Sequence, residues 1–181
     1  MEQNKNEFMK QEKDKMNGVW VTPHSFFDPL HAEFSLEVDA AASADNSMLP
    51  SYWAERSDAF KQDWRDRRVW VNPPYGRKEI YRWIESCATG GATLVVALLP
   101  ARTDTRWFHD FIYQKPGVEI RFVKGRIKFS GTTGSGKFPS MVVIFNRVLK
   151  IYELPNHPRN DEPKPRSPIP ALAGRTQRET I

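Results

Sequence analysis

The chain has 181 residues, 39% hydrophobic and 12% aromatic, enough for one compact core and too few for two substantial ones. Its longest apolar run, Leu94 to Leu99, falls far short of the roughly 20 residues that span a bilayer, and a single cysteine, Cys87, excludes an internal disulfide and a cysteine-rich metal site. The formal net charge of +5 suits a polyanionic partner, and the polar N-terminus has no apolar signal-peptide centre, so the expectation is a cytoplasmic protein with neither membrane nor metal among its partners.

Residues 1–18 are charged and lack helical or strand periodicity, which reads as a flexible arm. Residues 19–152 carry the apolar patterning of a domain. "SLEVD" (Ser35 to Asp39) and "RVWV" (Arg68 to Val71) read as short strands, and "LVVALLP" as a strand apolar on both faces, the pattern of a central parallel strand. Between the last two, Ile80, Trp83, Ile84, Cys87 and Ala88 recur at i, i+3, i+4, i+7 and i+8, one face of an amphipathic helix stopped by Gly90 and Gly91. The result is a βαβ unit. "TDTRWFHDFIYQ" predicts a second helix with Trp107, Phe108, Phe111 and Ile112 inward, and "VEIRFV" and "MVVIF" predict two late strands. In "VKGRIKF", Lys124, Arg126 and Lys128 alternate with apolar residues as on a strand with one wet face, and Ser130 to Phe138 reads as a mobile glycine-rich loop. Six prolines disrupt residues 153–181, a Pro-rich tail expected to be disordered. The pattern is a single α/β domain with an open, mostly parallel sheet, in which ligands gather beyond the carboxyl ends of the strands.

At that edge, directly after "VWV", stands "NPPY". A residue before proline is driven into extended geometry, so Pro73 constrains Asn72 and Pro74 constrains Pro73, and neither proline has an amide hydrogen. The stiff turn therefore presents carbonyl oxygen. With the side-chain oxygen of Asn72 it offers two neighbouring acceptors, and Tyr75 adds a flat face. Two acceptors beside a flat face suit a planar amino group on an aromatic ring. Accepting both its hydrogens favours a more pyramidal nitrogen able to attack a sulfonium methyl group, and the proton leaves afterwards, so no general-base histidine is required. The rate gain would come from alignment and electrostatic preorganisation. Cytosine N4, exocyclic amines of RNA and a glutamine amide fit the same chemistry. Carbon-5 methylation of cytosine needs a cysteine nucleophile, whereas Cys87 lies on the apolar face of its helix.

"WVTPHSFFDPL", "FSLEVDAAASADN", "VWVNPPYG", "LVVALLPARTDTRWFH", "VKGRIKF" and "FPSMVVIFN", in that order, resemble the phage-type (Dam-like) DNA N-6-adenine methyltransferases from about Trp20 to Asn146. The resemblance implies a Rossmann-like AdoMet-dependent methyltransferase fold, S-adenosyl-L-methionine (AdoMet) as cofactor, DNA as partner and N6 of adenine as target. Catalysis would rest on Asn72, Pro73, Pro74 and Tyr75: Asn72 and the Pro73 carbonyl hold the amino group, Pro74 stiffens the turn and Tyr75 stacks on a base flipped out of the duplex. Thr22, Pro23 and Phe26 resemble the opening cofactor motif, and Asp39 the acid closing the first strand, followed by Ala40, Ala41, Ala42 and Ser43 where a glycine loop usually sits. The absence of that loop and the short interval from Asp39 to Asn72 put the ribose-binding acid in doubt, with Asp58 and Asp63 as weak candidates, and leave open a DNA-binding module that has lost its cofactor. Arg102, Thr105 and Arg106 in "PARTDTRW", with Lys124, Arg126 and Lys128, are the expected DNA contacts; Thr103 or Thr105 could instead cap the next helix.

Overall fold

The computed structural model describes residues 21–54, 58–76, 79–129 and 138–148. The expected N-terminal arm, the Pro-rich tail and all but the last residue of the glycine-rich loop lie outside them. Among the described residues no helix is long and apolar enough to cross a membrane.

The elements in chain order are α1 (His24–Phe34), β1 (Val38–Asp39), a 3-10 turn (Ala59–Lys61), β2 (Arg68–Val71), α2 (Glu79–Thr89), β3 (Leu94–Pro100), α3 (Arg106–Phe111), β4 (Val118–Phe122) and β5 (Ser140–Asn146). The five strands form one sheet in the order β1-β2-β3-β5-β4. β1 pairs with β2 and β2 with β3 in parallel, while β5 runs antiparallel to both β3 and β4. Four strands thus share one direction and β5 alone opposes it. The architecture is mixed α/β with a mostly parallel sheet.

Period-two alternation divides the core between the two faces of this sheet. Val69, Val71, Val95, Ala97, Leu99, Met141, Val143 and Phe145 pack on one face with Ile80, Trp83, Ile84 and Cys87 of α2 and Trp107 and Phe108 of α3. Trp70, Leu94, Val96, Leu98, Val142 and Ile144 pack on the other with Phe27 and Leu30 of α1 and with Ile127 and Phe129. Every residue of β3 is buried, as expected of a strand flanked on both sides and covered on both faces.

α1 begins after Pro23, whose φ of −63° and ψ of 137° set the entry, and ends at Ser35 in the left-handed region (φ 49°), where the Ser35 N–H donates to the His31 carbonyl at 2.8 Å. Thr22 does not cap this helix. Pro29 lies within α1 and removes one backbone donor, yet packing holds the helix: the Phe27 ring meets Trp70 edge-on, 5.2 Å between centroids. At its far end, Glu33 accepts two hydrogen bonds from Arg121 of β4, each 2.7 Å. The outer edge of β1 is covered by the chain at 51–53. The Asp39 N–H donates to the Ser51 carbonyl at 3.0 Å and the Trp53 N–H to the Asp39 carbonyl at 2.8 Å.

Three expectations are corrected. The first strand is only Val38–Asp39, shorter than "SLEVD". The second helix closes at Phe111, shorter than the segment from Thr103 to Gln114. Residues 123–129 form no strand: Gly125 turns the chain at φ +81°, and the alternation arises because Ile127 and Phe129 drop into the core while Lys124, Arg126 and Lys128 stay exposed.

Cys87 is 5% exposed, and burial pushes its thiol well above the ordinary cysteine range. It is a core residue. Cys87 is expected to react with an aromatic disulfide reagent only as fast as the protein opens; rapid stoichiometric labelling under native conditions would contradict that assignment. Ile84→Ala, which empties a fully buried site beneath β3, should lower unfolding free energy by about 2–5 kcal/mol in denaturant titrations.

Candidate active site

Two parallel strands end side by side and deliver the site. Register pairs Asp39 of β1 with Trp70 of β2, and Val71 with Ala97 of β3, so Asp39, Asn72 and the end of β3 reach one carboxyl edge. A cavity of about 710 Å³ opens there, within the roughly 300–1,000 Å³ common for small-molecule sites. Its wall brings together Thr22, Asp39, Ala40, Asn72, Pro73, Pro74 and Tyr75 from the sequence expectations. Pro23 and Phe26 are placed elsewhere, Pro23 as the N-cap of α1 and Phe26 against the core on the α1 face.

The chain 72–76 leaves β2 without regular structure and turns into α2, where the N–H groups of Glu79 and Ile80 donate to the Gly76 carbonyl at 3.2 and 3.1 Å. Asn72 is gripped on both ends of its amide. Its Nδ2 donates to Thr22 Oγ1 at 3.0 Å, and its Oδ1 accepts from the Tyr75 hydroxyl at 2.6 Å. The same hydroxyl lies 3.3 Å from the Leu98 carbonyl on β3. Burial pushes the Tyr75 phenol above its usual range, so it stays a protonated donor. Its ring meets Phe138 edge-on at 5.3 Å.

Asp39 organises the small-residue loop that follows β1. Its Oδ1 accepts from the Ala41 N–H at 3.3 Å and its Oδ2 from the Met48 N–H at 3.0 Å, closing residues 40–48 into a compact turn. Ala40, Ala41, Ala42 and Ser43 then line the cavity with short side chains, which lets a ligand approach the backbone closely. Asp39 is 2% exposed. Desolvation pushes its carboxyl up to about 6, against the opposing pull of the Met48 and Ala41 amides.

Several wall residues went unnoticed in the sequence. Trp53, Phe60 and Trp83 supply aromatic surface, and Arg82 lies with its guanidinium carbon 3.9 Å from the centre of the Phe60 ring. Trp83 was legible only as the inward face of a helix; the others carried no periodic signal. Asp58, held at φ 44°, reaches the wall, where it accepts from the Phe60 N–H at 3.2 Å and pairs with Lys61 at 3.3 Å. Asp63 is instead exposed and bound to Arg65 at 2.6 Å, which holds its carboxyl at about 2.

The basic candidates leave the same edge of the sheet, because Pro100 pairs with Ser140 and Phe122 with Met141. Arg102 lies 5.9 Å from the centre of the Phe138 ring. Thr105 is the N-cap of α3, but its hydroxyl donates back to the Arg102 carbonyl at 2.8 Å rather than accepting from the helix. Arg106 pairs with Asp110 at 3.1 Å and lies 5.4 Å above Tyr81, whose hydroxyl also donates to Asp110. Lys124, Arg126 and Lys128 are exposed on the chain following β4.

A carboxyl raised from 3.8 to about 6 binds its proton more tightly in the folded state, so folding is penalised above pH 6 and the penalty is relieved as pH falls toward 4. Compared with Asp39→Asn, which cannot titrate, the wild type should gain up to about 3 kcal/mol of unfolding free energy between pH 7 and pH 4. Denaturant titrations at stepped pH measure this, and a constant difference across the range would contradict it.

Residues 8–160 match the family model described as DNA N-6-adenine-methyltransferase (Dam). The chain is 30% identical over 160 residues to the protein named DNA N-6-adenine-methyltransferase of Escherichia phage T1, a match covering 76% of this chain and 66% of that protein, just under two thirds of the relative's length. Together with a cavity built around Asn72, Pro73 and Tyr75, these matches identify the chain as a member of the DNA N-6-adenine-methyltransferase (Dam) family.

Proposed function

We propose that the chain transfers a methyl group from AdoMet to N6 of adenine in DNA, acting on a base turned out of the helix, and that its sheet is a narrow version of the Rossmann-like methyltransferase sheet. The observation that carries this reading is the placement of Asn72, Pro73 and Tyr75 in the wall of the same cavity as Asp39 and the small-residue loop. Sheet direction is in keeping with it, since the strands that end at the cavity run parallel and the reversed strand lies beyond them.

The residues present suit the methyl donor. Trp53, Phe60 and Trp83 offer faces for a purine, and the carboxylates of Asp39 and Asp58 offer acceptors for ribose hydroxyls or an ammonium group. Asp58 is the better ribose acid of the two, because its side chain is about a third exposed whereas Asp39 is nearly excluded from water. When bound, AdoMet supplies an electrophilic methyl group on a sulfonium centre.

The chain's own residues do the rest. Asn72 Oδ1 and the Pro73 carbonyl accept the two hydrogens of the adenine amino group and fix the direction of its lone pair, while the Tyr75 ring covers the base. Pro73 and Pro74 hold those acceptors still. Turning the base out of a duplex costs a few kcal/mol, and the basic residues beside the edge, Arg102, Arg106, Lys124, Arg126 and Lys128, provide phosphate contacts that help offset it.

Incubating the protein with radiolabelled AdoMet and DNA, then digesting to nucleosides, should put the label on N6-methyladenine. Label on N4-methylcytosine, label on RNA alone, or none at all would each reject the assignment. Asn72→Ala should retain the thermal transition and lose about 10²–10³-fold in kcat, as when one preorganised polar contact to a reacting group is removed.

A further inference from the structure

We infer that Asn72 works inside a two-hydroxyl clamp: Thr22 is a positioning residue that anchors the amide, and the Tyr75 hydroxyl is a placeholder for the substrate's amino group. This rests on the proposed methyl transfer to an exocyclic amine.

The terminal torsion of asparagine is broad and nearly two-fold, and its oxygen and nitrogen have almost the same size. Left alone, Asn72 would turn its NH₂ toward the substrate about as readily as its oxygen, and an amino group facing an amino group makes no hydrogen bond. Two hydroxyls hold one of these settings between them, Thr22 accepting from the nitrogen and Tyr75 donating to the oxygen. Thr22 is 3% exposed, and its Oγ1 takes a hydrogen from Asn72 Nδ2 at 3.0 Å, which leaves Oδ1 on the far side. The threonine has little freedom to drift. Pro23 follows it with a fixed backbone, α1 begins at once, and Phe27 locks α1 edge-on against Trp70, two residues before Asn72 on the strand that delivers it. The spacing between Thr22 and Asn72 is thus set by the packing of α1 on β2.

On the other side, the Tyr75 hydroxyl donates to Asn72 Oδ1 at 2.6 Å, so it takes up one of the two lone pairs of the oxygen that an incoming amine must use. A phenol has one proton to give. The Leu98 carbonyl, 3.3 Å away, is a second acceptor already within reach. When an amino group claims Oδ1, the hydroxyl can turn to Leu98 without leaving a buried donor unpaired, an exchange far cheaper than the stranding of a buried polar group. The site accordingly rests with its amide aimed and satisfied, and opens by the rotation of one hydroxyl. Thr22 acts through Asn72 in this arrangement, distinct from the cofactor contact that the opening motif implied.

The test uses the full chain with Thr22→Val, Thr22→Ser and Tyr75→Phe. For each we would measure AdoMet affinity by calorimetry, kcat and the KM for DNA, and the side-chain amide signal of Asn72 by ¹H–¹⁵N NMR. Thr22→Val should lower kcat by about 10²-fold, the loss typical of a misplaced reacting group, with AdoMet affinity within about two-fold of wild type. Thr22→Ser should restore most of that loss. The Asn72 amide protons should be protected in the wild type and Thr22→Ser and exchange faster in Thr22→Val. Tyr75→Phe, which keeps the ring and removes the competing hydroxyl, should lower the KM for DNA several-fold. Weakened AdoMet binding with unchanged kcat in Thr22→Val would make Thr22 a cofactor contact and overturn its role. Equal kcat in Thr22→Val and wild type would also overturn it, and an unchanged or raised KM in Tyr75→Phe would overturn the placeholder. Should Thr22→Val fail to fold, protection in Thr22→Ser and the KM of Tyr75→Phe decide the matter. A wild type that transfers no methyl group defeats the proposed function, while the amide signals still decide the Thr22 clamp.

Discussion

The parallel alignment of β1, β2 and β3 is the constraint on which the site depends. Parallel neighbours end on the same edge, so Asp39 and Asn72 are brought together by strand pairing rather than by proximity in sequence. β3 makes the alignment rigid. Its seven residues are buried on both faces, and α1 and α2 clamp β2 from opposite sides through Trp70 on one and Val69 and Val71 on the other. A one-residue slip of β2 would swap those faces, moving Trp70 away from Phe27 and Asn72 away from Thr22.

The site then departs from what stability alone would favour. The Asp39 carboxyl is nearly excluded from water with no cationic partner among the described residues, and is held instead by two amides. The Asp58 backbone sits at positive φ without being glycine, and the Trp70 indole N–H has no hydrogen-bond partner among the described residues. Each carries a penalty of order 1–3 kcal/mol. Such concentrations of unfavourable local choices are what a preorganised ligand site leaves behind in a fold whose remaining choices agree with one another. Asp39, Asp58 and Trp70 all line one cavity, while the faces of the sheet are packed by ordinary aliphatic and aromatic residues.

Legibility in the sequence followed the range of the interactions involved. β2, β3 and α2 could be read residue by residue, because their apolar periods report local geometry directly, and the Asn72 turn could be read because proline acts on its immediate neighbours. α1 is not legible as an element: Pro29 argues against a helix locally, and the contact of Phe27 with a strand far along the chain outweighs it. The loop 40–48 was legible as a run of small residues but not as a fold, since its closure depends on a bond from Asp39 to an amide nine residues later. "VKGRIKF" misled for a related reason: two buried residues spaced by two mimic a strand, and Gly125 breaks the backbone in a way that alternation does not register. Likewise, the aromatic wall at Trp53 and Phe60 had no period to announce it.

The chain at 51–53 serves two ends at once. A terminal β-strand offers its unpaired amides and carbonyls to any passing chain, and proteins commonly blunt such borders. Here Ser51 and Trp53 occupy the backbone groups of Asp39 along the border of β1, and Trp53 also lines the cavity. The cavity therefore cannot widen on that flank without uncovering a template for intermolecular sheet growth. Protection against self-association and the shape of the cavity thus meet in one residue, Trp53, which leaves that flank little freedom to breathe.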